Sequence, residues 1–129
     1  MTPIKQDKLF SPDGLVNGNA MAACLASLLD LPLWMVPPFE DMHGRGAATV
    51  DDRIKEWLQR MFGLTLELQG RHEPEDLPAF YIASGPSSRG AMHSVIYSNG
   101  VLAHDPHPAG DGIVEVSYCR FLKPVHGQP

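Results

Sequence analysis

The chain has 129 residues, of which 43% are hydrophobic and 19% charged, values typical of one globular domain with a single core. The formal net charge of −5, without any cluster of Lys and Arg, argues against nucleic acid as the main partner. The longest apolar run, around residues 20–29, is too short to span a bilayer, and two cysteines are too few for a disulfide framework. We therefore expect one cytoplasmic domain over residues 1–129, without membrane association.

The predicted helical part covers about residues 15–62. Residues 18–29 (GNAMAACLASLL) indicate a short helix that is apolar on all sides and therefore buried, with the Asn19 side chain as its cap. Residues 31–39 are expected to cover an edge of the core with Leu33, Trp34, Val36 and Phe39.

A second helix is predicted from Thr49, which forms a capping pair with Asp52, to a stop at Gly63. Its buried stripe follows helical spacing and comprises Val50, Ile54, Trp57, Leu58 and Met61.

Strands follow the helices, over about residues 64–124. The apolar pattern has a period of two in residues 64–69, and further strands are predicted at 79–84, 92–98, 101–105 and 113–122. The order of elements indicates an α+β fold in which the central buried helix packs on a curved antiparallel sheet.

His93 and Asp105 stand out because they lie on neighbouring strands of one predicted hairpin. A two-residue turn at Asn99-Gly100 would place them on opposite faces of the sheet, whereas a three-residue loop from Ser98 would place them directly opposite each other. We predict the three-residue loop, in which the carboxylate orients the imidazole.

Such a pair needs a nucleophile, and the N-terminus of the first helix is a place that activates one. Ala20 stands there and has no reactive group. Cys24 and Cys119 are expected to be inert core thiols. A metal site at His104, Asp105 and His107 is the weaker alternative, since neighbouring strand residues point to opposite faces.

Three stretches together, GNAMAACLASLLDLPL, YIASGPSSRGAMHSVIY and LAHDPHPAG, resemble small papain-like cysteine peptidases of bacteria and phages, relatives of bacteriocin-processing peptidases and cell-wall hydrolases. The resemblance implies a papain-like fold, with His93 as general base, Asp105 as its orienting partner, and the family's nucleophilic cysteine at the position of Ala20. It also implies Gln6 as an oxyanion-hole side chain, although Gln6 alone, among charged neighbours, indicates a solvated surface residue.

The resemblance further implies a peptide or protein substrate, such as a protein C-terminal tail, and neither a cofactor nor a metal. Loops 40–48 and 85–90 are expected to border the cleft. The candidate substrate-binding residues are Asn19, Trp34, Ser87, Ser88 and Arg89.

The expected function is thus a thiol hydrolase that cleaves an amide, peptide or isopeptide bond, inactive here because residue 20 is alanine. An engineered Cys→Ala change explains this better than a natural pseudo-enzyme, because the base and its partner are retained. The alternatives are a peptide- or protein-binding module and an amidase or transglutaminase-type acyltransferase.

Overall fold

Helices precede strands along the chain, and the α+β class is confirmed. The structure, a computed structural model, describes residues 1–13, 15–42 and 49–125. It contains helices α1 (Ala20–Leu29) and α2 (Val50–Phe62) and short 3₁₀ turns at Leu33–Met35, Phe39–Asp41 and Pro74–Asp76. The strands are β1 (Leu64–Gln69), β2 (Tyr81–Pro86), β3 (Met92–Ser98), β4 (Val101–His104) and β5 (Tyr118–Pro124).

The five strands form one antiparallel sheet in the order β1-β5-β2-β3-β4. The last strand of the chain therefore lies between the first two, where it pairs with both. The hairpin of β3 and β4 forms one end of the sheet, and β4 is an edge strand. This arrangement places the two candidate site residues at the sheet edge farthest from β1.

The main core lies between the two helices and the sheet. α1 packs on β3 and α2 packs on β1. Residues 22–27 of α1 are all buried, as its apolar sequence predicts. Most of its buried apolar side chains belong to one core cluster, whose other buried members include Phe39, Ile54, Trp57, Leu58, Leu66, Ile82 and Ile96. A second, smaller cluster is formed by Tyr81, Ala83, Val95 and Cys119.

The two helices begin in different ways. α2 has the predicted capping box, in which the Thr49 hydroxyl accepts from the Asp52 N–H and the Asp52 carboxylate accepts from the Thr49 N–H. The Asn19 side chain does not cap α1, so that prediction is wrong. Asn19 instead accepts from the Lys8 N–H and donates to the Asp7 carboxylate, which ties the N-terminal segment to the start of α1.

Several side chains predicted to be buried face solvent. Trp34 is 82% exposed and Met61 is 56% exposed, because the 3₁₀ turn and the last turn of α2 direct them away from the core. Leu68, near the end of the edge strand β1, is 56% exposed.

The last strand begins at Tyr118, five residues later than the predicted start at residue 113. The preceding stretch runs beside β2 and makes only spaced backbone bonds to it, from Ser117 N–H to Ser84 O and from Val114 N–H to Pro86 O. Its backbone approaches Gly85 so closely that a side chain there would collide with a carbonyl oxygen.

Neither helix in the described part of the chain combines the length and apolar character that a membrane crossing requires.

Candidate active site

The hairpin of β3 and β4 closes with a two-residue turn, so the predicted three-residue loop is wrong. Ser98 pairs with Val101, and the two residues between them, Asn99 and Gly100, have φ angles of 51° and 81°. Positive φ at both central positions is the requirement of a type I′ turn, which matches the twist of the flanking strands.

His93 and Asp105 nevertheless meet, because β4 contains one extra residue beyond the turn. The insertion of Ala103 shifts the register by one position and forms a β-bulge opposite β3. A one-residue shift reverses the alternation of the side chains that follow, so it returns Asp105 to the face of the sheet on which His93 lies, although not to the position directly opposite it. His93 Nε2 and Asp105 Oδ1 are 2.7 Å apart.

The carboxylate of Asp105 is buried and fully hydrogen-bonded. Oδ1 accepts from His93 Nε2 and from the His107 N–H, and Oδ2 accepts from the Gly112 N–H at 2.8 Å. Burial alone would raise the pKa of Asp105, but the bonds from His93 and from the two backbone N–H groups outweigh burial and lower the pKa to about 2. Asp105 is therefore anionic at neutral pH and acts as an acceptor for the Nε2–H of His93.

The loop after β4 is held in place by the N-terminal segment. Lys5 Nζ donates to the carbonyl oxygens of Asp105 and His107 at 2.9 and 3.2 Å. The Gln6 N–H donates to the Pro106 carbonyl oxygen at 3.0 Å. These bonds hold the backbone of Asp105 and of the two residues after it in place, and they position Gln6 beside this loop.

Ala20, Gln6 and His93 line one cleft with a volume of about 760 Å³. Ala20 is the first residue of α1, so the helix N-terminus opens into this cleft. The His93 ring bonds Asp105 through Nε2, and Asp105 is its only hydrogen-bond partner among the described residues. The second ring nitrogen, Nδ1, is thus available to a group in the cleft. The apolar part of the wall comprises Leu9, Phe10, Pro12, Ala91 and Met92.

Gln6 is buried, with 8% of its surface exposed, so the interpretation as a solvated glutamine is wrong. Its Nε2 donates one hydrogen to the Lys8 carbonyl oxygen at 2.8 Å, and its Oε1 is buried without a hydrogen-bond partner. The second Nε2 hydrogen has no acceptor among the described residues, which suits a donor to a ligand oxygen.

Glu40 lies at the N-terminus of α1 and was not singled out from the sequence. Its Oε2 accepts from the Ala22 N–H at 3.2 Å. Glu40 therefore caps the helix in place of Asn19. Burial raises the pKa of Glu40, and its Oε1 is buried without a partner. No local sequence pattern predicts this contact, because Glu40 and the start of α1 lie far apart in the chain.

The candidates on the loop between β2 and β3 divide into two groups. Ser87 and Arg89 line the cleft, as predicted for substrate-binding residues, whereas Ser88 does not. The Ser87 hydroxyl donates to the Ala91 carbonyl oxygen, which closes the loop on itself. Ser88 and Arg89 both donate to the Asp111 carboxylate, at 2.8 and 2.9 Å, and tie this loop to the segment that follows Asp105.

Asn19 and Trp34 do not line this cleft. They border a separate cavity of about 140 Å³ beside the start of α1. Glu40 borders both cavities. Asn19 and Trp34 therefore lie outside the cleft of Ala20 and His93, and their contact with a ligand stays a prediction.

The side chains of the alternative metal site have separate partners. His104 Nε2 bonds the Ile4 carbonyl oxygen at 2.7 Å, Asp105 bonds His93, and His107 Nδ1 accepts from the Ala109 N–H. Over residues 1–13, 15–42 and 49–125, no three His, Cys, Asp or Glu side chains are grouped to hold a metal ion.

Both cysteines are free and have no exposed surface, and burial raises the pKa of each thiol. His72 lies away from the cleft, where its Nε2 is 2.6 Å from the Tyr81 hydroxyl. The predicted cleft loop 40–48 is described only up to residue 42, and His43 and His126 also lie outside the described residues.

No family model, no curated protein and no solved structure matches this chain.

Proposed function

We propose that this cleft is the acyl-transfer site of a papain-like thiol hydrolase, with alanine at the position of the nucleophile. The observation that carries the proposal is the His93–Asp105 pair at 2.7 Å, whose histidine shares a cleft with Ala20 at the N-terminus of a buried helix. The substrate class is an amide, peptide or isopeptide.

The roles follow from the hydrogen bonds. Asp105 accepts the Nε2–H of His93, which fixes the ring and leaves Nδ1 as the base. A thiol on residue 20 would transfer its proton to Nδ1 and attack the carbonyl carbon. The C–N bond would then break, the amine would leave with the proton from His93, and water would release the acyl group from sulfur. Because Ala20 has a methyl group in place of a thiol, the first step of this reaction cannot occur.

Two groups are suited to stabilise the oxyanion. The Ala20 N–H lies at the N-terminus of α1, where no acceptor from the described residues occupies it, and Gln6 has a free amide hydrogen on the same cleft. Because Glu40 occupies the Ala22 N–H further along the helix, we assign the backbone donor to Ala20, whose N–H lies on the cleft.

The test is A20C, assayed by the rate of alkylation with iodoacetamide. A matched control is A103C, which places an exposed thiol on the edge strand β4, away from the base. We expect the A20C thiol to react at least about tenfold faster than the A103C thiol at mildly acidic pH, and A20C/H93A to lose the advantage. Cys24 and Cys119 supply a slow background because both are buried.

Equal rates for A20C and A103C, together with insensitivity to H93A in a variant with an unchanged circular dichroism spectrum, would contradict the proposal. They would favour the second candidate, a peptide-binding module. The observation in favour of that module is Ala20 itself, since the only thiols in the described chain are buried away from solvent. The codon for residue 20 in the encoding gene separates an engineered substitution from a natural one.

A further inference from the structure

His107 lies on the same cleft as His93 and Ala20, and the proposed reaction does not use it. Its ring packs edge-on against the ring of His93, with centroids 6.0 Å apart and planes at 90°. The His107 side chain is half-buried, so part of the ring faces the cleft.

The tautomer of His107 follows from one hydrogen bond. Its Nδ1 lies 2.9 Å from the backbone nitrogen of Ala109. A backbone N–H can only donate, so Nδ1 must have a free electron pair, and the proton of the neutral ring is on Nε2. No partner for Nε2 exists among the described residues, which leaves an N–H donor available to a ligand.

The backbone of His107 is fixed on both sides. Its N–H donates to Asp105 Oδ1 at 2.9 Å, and its carbonyl oxygen accepts from Lys5 Nζ at 3.2 Å. The donor is therefore held at a constant distance from the His93–Asp105 pair, as a residue that positions a ligand requires.

The surroundings favour a neutral ring. Burial, together with the positive charges of Arg89 and His93, lowers the pKa of His107, against a weaker opposing effect of Asp105 and Asp111. The charge of Arg89 is balanced by Asp111 at 2.9 Å. This side of the cleft therefore presents a neutral N–H donor, which suits a carbonyl oxygen better than a carboxylate.

We propose that His107 is a substrate-binding residue whose Nε2–H donates to a backbone carbonyl oxygen of an extended peptide. The inference depends on the proposed function, since it places the scissile carbonyl next to Ala20 and His93. The centroids of the two rings lie 6.0 Å apart, less than the length of two residues of extended chain at about 3.3–3.6 Å each. We therefore expect the carbonyl that His107 binds to lie within about two residues of the scissile bond.

Two substitutions separate the ligand contact from the structural contact. In H107N the amide oxygen can replace Nδ1 and accept from the Ala109 N–H, but the Nε2–H is lost. In H107Q the longer amide can place an N–H near the position of Nε2, but the acceptor for Ala109 is lost. If His107 binds the ligand, H107Q should retain the contact with the peptide carbonyl. If the role of His107 is purely structural, H107N should behave like the unsubstituted chain.

The readout uses two alkylating probes on the full chain carrying A20C. N-iodoacetyl-glycylglycinamide has two amide carbonyls beyond the reacting group, and N-hexyl-iodoacetamide has the same length without them. The ratio of their rate constants cancels the fraction of thiolate and reports the contacts of the additional carbonyls. We expect H107N to lower this ratio about three- to tenfold, the effect of one hydrogen bond, and H107Q to retain it.

An unchanged ratio in H107N, or an equal loss in H107N and H107Q, would overturn the inference. The absolute rate with iodoacetamide, and its dependence on His93, tests the proposed function separately. The ratio can be measured with a thiol of ordinary reactivity. If the rate of alkylation does not depend on His93, the proposed reaction is contradicted, but the comparison of H107N with H107Q can still be interpreted. Thermal unfolding of both variants reports the Ala109 bond, whose loss should affect H107Q alone.

Discussion

The buried carboxylate of Asp105 should make the stability of this protein depend on pH in a narrow acidic range. Its pKa is lowered from 3.8 to about 2 in the folded chain. A depressed folded pKa means that the native state favours the anion, so the stabilisation is complete above about pH 4 and is lost as the pH falls through about 2. The shift corresponds to about 2 kcal/mol of unfolding free energy.

The substitution D105N removes this pH dependence of stability, and it also lowers the unfolding free energy at neutral pH. Asparagine keeps one oxygen for His93 and the His107 N–H, but its NH₂ group then faces the Gly112 N–H. Buried donors without acceptors cost about 1–3 kcal/mol. We therefore expect D105N to be less stable than the unsubstituted chain at pH 7 and the difference to shrink by about 2 kcal/mol towards pH 2.

The assay is urea unfolding of both proteins at pH values from neutral down to about 2. The control is E67Q, which makes the same charge change at an exposed pair with Lys123 and should alter stability by less than about 1 kcal/mol. A difference between D105N and the unsubstituted chain that stays constant over the whole pH range would refute the reasoning about the ionised, hydrogen-bonded carboxylate.

Two further substitutions test packing and electrostatics around the site. G85A should lower the unfolding free energy by about 1–3 kcal/mol, because its methyl group meets the Glu115 carbonyl oxygen, whereas G70A, with nothing within 4 Å, should change it by less than about 0.5 kcal/mol in chemical denaturation. Similar changes in unfolding free energy for G85A and G70A would contradict the close approach of the Glu115 carbonyl oxygen to Gly85. E40Q in the A20C protein should shift the pH profile of iodoacetamide labelling to lower pH, because a carboxylate beside a thiol disfavours the thiolate. An unchanged or upward shift would show that Glu40 does not act on residue 20.

Local patterns predicted the elements well where one interaction dominates. The apolar run of α1 led to its burial, and the Thr49–Asp52 pair led to the observed capping box of α2. The period-two pattern after Gly63 led to β1 with its observed bounds. These features depend on residues that lie close together in the chain, so a short stretch of sequence is sufficient to predict them.

The hairpin shows where such reasoning stops. Asn99-Gly100 is the standard signal of a two-residue type I′ turn, and the structure has that turn. The preference for a longer loop came from the requirement that His93 and Asp105 meet. The chain meets that requirement instead with a bulge at Ala103, for which the sequence has no clear local signal.

The sequence by itself determined the helix at Ala20, the strand that carries His93, the strand that ends just before Asp105, and the absence of a thiol at the helix N-terminus. Only the tertiary structure decided that Glu40 caps that helix, that Lys5 and Gln6 hold the loop after β4, and that His107 faces the cleft. The physical reason is distance along the chain. Helix caps and strand alternation depend on neighbours a few residues away, whereas the cleft is built from contacts between segments that become adjacent only when the sheet and α1 have packed.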